Sequence, residues 1–285
     1  MRTIEFKSGN EMVRGVLHEP TTPPPHPALV FAHGLLSTHR EYGDYPERFC
    51  ARGYLTLAID FRGHGASEGQ RGLMSTERNV EDLQRALDFI QAQPGVDPNR
   101  IALIGHSLGG DAVICTAARD ERVRLVVAGA TVGRLRDEIG GAEMMMYRLV
   151  DALNRLQKRF THKPLYVPYR VTYKDIFANE ECRARAQAVG FLQTKVCADF
   201  IPLALTQDAT ACARNVFVPT LVIQGEKDAV VSRTSTCATF DALASPGKEW
   251  YEVKDSGHSV WTDCQGEAVF EYVAAWIERH WKRQV

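Results

Sequence analysis

Residues 101–110 read Ile101-Ala102-Leu103-Ile104-Gly105-His106-Ser107-Leu108-Gly109-Gly110. Four apolar, strand-favouring residues run into a serine set between glycines, and helical spacing follows through Ala118. A G-x-S-x-G string alone is a weak signal. Between a strand and a helix it predicts a sharp turn, an elbow that lifts the serine hydroxyl clear of a sheet. Gly105 and Gly109 are then the positions where strand and helix approach closely, and Gly110 extends that clearance.

Working outward, short β-rich apolar runs recur at 28–32, 55–61, 125–128 and 221–223. They predict buried strands of a parallel sheet. Residues 3–6 and 12–18 flank Gly9-Asn10 and predict an antiparallel edge hairpin. Val80, Leu83, Leu87 and Ile90 share one face of a helix over 77–93, which Pro94-Gly95 stops. Val269, Tyr272, Val273, Trp276 and Ile277 stripe a terminal helix. Alternating strands and helices predict a three-layer α/β sandwich with right-handed crossovers. Residues 131–215 break the rhythm: no clear strand is visible there, and the stretch is far longer than a crossover requires. We expect a mainly helical cap over 131–215, inserted into a core formed by 1–130 and 216–285.

A serine hydroxyl needs a base to take its proton. The base is expected last in chain order, beyond the final strand, where His258 follows the strand-like 249–253. The acid that orients the imidazole belongs between serine and histidine, after a strand. Asp228 fills that place; Glu226 is its local rival, and an acid presented after an earlier strand is a more remote one. The oxyanion requires backbone N–H donors, each contributing ~3–4 kcal/mol to the chemical step. Leu108, after the nucleophile, supplies one amide; Leu35, in the loop His33-Gly34-Leu35, supplies the other. His33 is expected to shape that loop.

The order of these markers resembles the α/β-hydrolase superfamily: His33-Gly34, then Asp60-Phe61-Arg62-Gly63-His64-Gly65-Ala66-Ser67, then Gly105-His106-Ser107-Leu108-Gly109-Gly110, then Asp228 and His258. Within it the chain looks most like the group of monoacylglycerol lipases, lysophospholipases and cinnamoyl or feruloyl esterases. The resemblance covers nearly everything but the cap. It implies a mostly parallel eight-stranded sheet flanked by helices, no cofactor, and a cap between the sixth and seventh strands. Arg62 and His64 are expected to hold neighbouring loops.

Hydrolysis of small to medium acyl or aromatic esters through an acyl-enzyme follows as the expectation, with a small-molecule ester as substrate. A peptidase, amidase or C–C bond hydrolase would keep the same three residues, and a non-catalytic binding protein could be built on the same fold. A net charge of −1 with no charge runs argues against nucleic acid. No apolar run is long enough to span a bilayer and no signal-like segment opens the chain, so a cytoplasmic location is expected. Homo-oligomerisation is left open. Seven dispersed cysteines without a Cys-x-x-Cys pair argue against a metal site and for reduced packing residues. A Cys197–Cys212 bridge is the alternative there.

Overall fold

The structure, a computed structural model, describes residues 1–282. Strands β1 (Arg2–Ser8) and β2 (Glu11–His18) form the antiparallel hairpin. They are followed by β3 (His26–Ala32), β4 (Leu55–Asp60), β5 (Val96–His106) and β6 (Leu125–Gly129). Two short strands, β7 (Tyr166–Pro168) and β8 (Lys195–Cys197), precede β9 (Thr220–Gly225) and β10 (Lys248–Val253). Eight of these form one sheet in the order β1-β2-β4-β3-β5-β6-β9-β10, antiparallel at the hairpin and parallel from β4 onward. The central strands are buried on both faces, which is why they read as unbroken apolar runs.

Helices α1 (Tyr45–Ala51), α2 (Thr76–Gln91) and α3 (Leu108–Ala117) belong to the first half of the chain. Ser75 caps α2 by accepting from the Arg78 amide. Helices α4 (Gly141–Thr161), α5 (Tyr173–Ile176), α6 (Glu180–Val189), α7 (Phe200–Thr206) and α8 (Ala209–Ala213) lie between β6 and β9, the sixth and seventh strands of the sheet. Helices α9 (Arg233–Ala242) and α10 (Gly266–Lys282) complete the chain's described part. One layer buries Leu83, Leu87 and Val113 against the sheet, and the other buries Phe270, Val273 and Trp276.

Two expectations need correction. The segment between β6 and β9 does contain strands, since β7 and β8 pair antiparallel. Three residues each, with Pro168 ending one of them, leave no periodicity to detect. The cysteines are not all reduced packing residues either: Cys115 of α3 and Cys212 of α8 form a disulfide, and Cys197 is free. Helix packing brings their Cα atoms to 5.0 Å across 97 residues of sequence, a separation no local motif reports.

The glycines at the β5–α3 turn are there for space. A Cβ on Gly109 would sit 2.2 Å from the Ala32 carbonyl oxygen and 2.4 Å from that of His33. One on Gly105 would sit 2.4 Å from the Gly109 carbonyl oxygen. One turn on, the fully buried Asp111 carboxyl accepts the Gly133 amide at 3.1 Å and the Gln207 side-chain amide. It thereby fastens both ends of the β6–β9 segment to α3.

Gly109→Ala should destabilise the protein by about 2 kcal/mol or more, because the obstructing atoms are backbone. A denaturant midpoint equal to the parent's would contradict that contact. Burial pushes the Asp111 carboxyl up to about 7 from its ordinary 3.8. Its folded-state pKa is raised, so the native state keeps a proton that the unfolded chain has lost between those values. Stability from this group therefore falls as pH rises through that window and levels off above it. The melting temperature of the parent relative to Asp111→Asn should rise on going from pH 8 to pH 5. A difference independent of pH would refute the assignment.

Candidate active site

Ser107 occupies the position just before α3 with φ 54° and ψ −123°, a conformation unfavourable for a residue bearing a Cβ. It is held from both sides. The Ser107 amide donates to the Gly129 carbonyl at 2.8 Å, and the Asp111 amide donates to the Ser107 carbonyl at 3.1 Å. The hydroxyl makes no hydrogen bond among the described residues. It faces a cavity of about 580 Å³ whose lining also includes Leu35, Leu108, Met146, Val150 and Phe200. Resting sites commonly keep such bonds open until substrate draws them together.

The expected histidine and carboxylate meet. His258 Nδ1 lies 2.8 Å from Asp228 Oδ2, and both side chains are buried. Burial alone would raise the Asp228 pKa. The charge and hydrogen bond of His258, with the amides of Val231 and Val230, outweigh it and hold the carboxylate below its ordinary range. Glu226 is turned elsewhere and accepts the Asp255 amide at 2.9 Å. Of the acids the sequence offered, the fold brings Asp228 to the imidazole.

Leu35 and Leu108 line the same cavity as Ser107. Neither amide is consumed by a backbone hydrogen bond among the described residues. The loop carrying Leu35 presses on the serine, since a Cβ on Gly34 would stand 3.2 Å from Ser107 Cβ. His33 holds that loop in place: its Nε2 accepts the Phe61 amide at 3.0 Å, which leaves Nδ1 to donate to the Gly34 carbonyl at 2.7 Å. The Asp60–Ser67 turn is knitted inward as expected. Arg62 pairs with Asp82 and Glu81, each at 2.6 Å. His64 is fully buried, and burial drives its pKa down to about 3, leaving it uncharged.

Sequence reasoning missed a second buried pair. Glu41 Oε2 accepts the Gly34 amide at 2.8 Å, and Glu41 Oε1 lies 2.6 Å from His106 Nδ1. The other nitrogen of His106 donates to the His258 carbonyl at 2.9 Å. Burial disfavours charge on both groups. Their mutual attraction prevails, raising the His106 pKa and lowering that of Glu41, and each ring nitrogen of His106 faces an acceptor. One carboxylate thus links the Leu35 loop, the elbow and the backbone of the histidine. The His106 and His258 rings lie 4.6 Å apart. The only sequence signal was a histidine inside the G-x-S-x-G string; Glu41 is 65 residues away in sequence.

No group of three or more His, Cys, Asp or Glu among the described residues is arranged to hold a metal ion. No described helix is long and apolar enough to cross a membrane.

A family model described as serine aminopeptidase, S33 (Hydrolase_4) matches residues 23–265. The quorum-quenching protein AidA of Acinetobacter baumannii (strain MDR-ZJ06) is 38% identical over 127 residues, 44% of this chain and 42% of that protein. The chain thus aligns with less than half of that relative's length. A monoacylglycerol lipase of Mycolicibacterium smegmatis (strain ATCC 700084 / mc(2)155) is 27% identical over 259 residues, 90% of this chain and 89% of that one. Among solved structures, DcsB in complex with its substrate analogue superposes with a TM-score of 0.85 at 21% identity, covering 98% of this chain and 99% of that one. At that identity the likeness speaks for the fold alone.

Glu41→Gln should lower kcat by roughly 10- to 100-fold with KM little changed, as expected when correctly bound substrate meets misaligned groups. Steady-state kinetics on a variant verified as folded checks this. A rise in KM at constant kcat would remove the positioning role.

Proposed function

The chain belongs to the α/β-hydrolase superfamily, in the family described as serine aminopeptidase, S33, and is a hydrolase; from that premise we propose that it cleaves carboxylic esters through an acyl-enzyme on Ser107. The observation that carries the proposal is the meeting of two things. A strained serine, itself largely buried, lines a mostly apolar cavity, and a buried Asp228–His258 pair lies beside the turn that bears it.

Asp228 accepts the Nδ1 proton of His258, which leaves Nε2 free to act as base. In the proposed first step His258 takes the Ser107 proton as Oγ attacks the acyl carbon. Negative charge develops on the former carbonyl oxygen, and the Leu35 and Leu108 amides receive it. His258 then returns its proton to the departing alcohol. Water, deprotonated by the same imidazole, attacks the acyl-enzyme and frees the acid and Ser107.

We assign residues 131–215 the part of a cap. Met146, Tyr147, Val167 and Phe200 from this segment contribute to the cavity wall. Phe177 and Phe191 instead pack into a small cluster of their own with Ile176. Tyr166 and Leu203 face outward. A largely apolar wall suits an uncharged acyl or aromatic group of small to medium size, and the monoacylglycerol lipase among the relatives is in keeping with ester chemistry. A second reading, aminopeptidase action, is favoured by the family's description and by Glu138 and Glu143 in the lining, where a substrate ammonium would find a counter-charge.

Hydrolysis of p-nitrophenyl esters from acetate to palmitate, beside p-nitroanilides of amino acids, separates the two. Ester turnover is expected, with a chain-length optimum and little anilide cleavage. The reverse preference would favour the peptidase. Ser107→Ala should lose at least ~10³-fold in kcat and all labelling by a fluorophosphonate. Asp228→Asn should also be severe, by ~10³- to 10⁴-fold, and near-parental turnover would move the acid elsewhere.

A further inference from the structure

Helix α4 is 21 residues long, yet Asn154 is its one fully buried residue among those described. Polar contacts hold it down. Asn154 donates to Asp199 and accepts the Leu165 amide, and Lys158 pairs with Asp199. A helix normally owes its stability to packing an apolar face. Here one edge, with Met146, Tyr147 and Val150, borders the cavity. The neighbouring stripe of Leu149, Leu153, Leu156 and Phe160 is 48–75% exposed.

The spacing within that stripe is four, three, four. That is the d-a-d-a seam of a coiled coil, narrower than the broad face a helix turns to a bilayer. Run antiparallel against a second α4 about a two-fold axis, the seam matches itself. Leu149 of one copy falls opposite Phe160 of the other, and Leu153 falls opposite Leu156, giving a-to-d layers throughout. The flanking positions bring Ala152 beside Arg159 and Val150 beside Gln157, so no like charges meet. The ends also complement each other. Residues 138–151 carry three carboxylates and one guanidinium, whereas residues 152–163 carry four cations and no acid. Antiparallel pairing sets each acidic end against a basic one and opposes the two helix dipoles.

We propose that α4 is a homodimer interface, in which two copies of this chain pair their Leu149–Leu153–Leu156–Phe160 stripes as an antiparallel two-fold coiled coil. A symmetric pairing of this kind buries the same patch on both subunits. Because α4 also walls the cavity, each copy steadies a wall of the other's binding site. The proposal is independent of which bond the chain cleaves.

Sedimentation velocity of the full chain at micromolar concentration tests it. The parent should sediment as a dimer. Leu153→Glu should dissociate it, weakening self-association by roughly 100-fold or more because symmetry buries the charge twice. Leu156→Lys should do the same. The double variant Leu153→Glu/Leu156→Lys should recover dimer, since in the antiparallel register each Glu faces a Lys. A parallel register would instead set like charges together. These positions are exposed, and far-ultraviolet circular dichroism shows whether each variant is folded. A monomeric parent, a dimer indifferent to Leu153→Glu, or a double variant no more dimeric than the singles would each overturn the proposal. A monomeric parent that sediments with phosphatidylglycerol vesicles would assign the stripe to a membrane surface instead.

Discussion

Everything at the centre of this molecule depends on how closely β5, β3 and α3 approach one another. Hydrogen atoms at residues 105 and 109 let the start of α3 lie directly on backbone of the neighbouring turns. That approach leaves Ser107 too little chain to make the corner in a relaxed conformation, so the residue is held with positive φ. A single packing constraint therefore sets three things together: the direction of the hydroxyl, the free amide of Leu108, and the distance to the Leu35 loop. The strain is local, and the large apolar layers on both sides of the sheet support it.

Below the apolar cavity the protein is dense with buried ionisable groups, and these are mostly found in company. Asp228 has His258, Glu41 has His106, and Arg62 has Asp82 and Glu81. Asp60 binds His39 and the Ala66 amide. Pairing is what permits charge at such depth, because an isolated buried ion would neutralise itself. His64 has no such partner and is uncharged. Such pairs contribute more to geometry than to net stability. Each ties loops from different parts of the chain to one another, and those loops carry the candidate site.

What could be read from the sequence was what repeats or recurs at fixed chemical positions. The buried strands announce themselves as short apolar runs, the hairpin by two runs flanking Gly9-Asn10, α2 and α10 by period, and the elbow by its glycines. Ser107, Asp228 and His258 follow from chain order once the elbow is recognised, and the fold sets the last two in contact. Pairings between distant segments were illegible. Nothing local distinguishes Glu41 from any other acid in a loop, or Cys115 and Cys212 from five other cysteines. The strands β7 and β8 were hidden for a different reason: with three residues apiece, they exist only because they find each other. The apolar residues between β6 and β9 could not be sorted either. Composition is blind to whether Met146 and Phe200 face a cavity or Phe177 and Phe191 face their own cluster.

The Cys115–Cys212 disulfide makes part of the chain topologically a ring. Its 97-residue span runs from inside α3, through β6 and all of α4 to α7, and back to α8 beside its starting point. Closing a loop of that size restricts the unfolded chain by about 4–5 kcal/mol on a chain-entropy view. The ring also alters what it means for this segment to come apart. A peptide bond cut anywhere within it would leave both halves covalently attached, so the wall of the cavity could be severed without being shed.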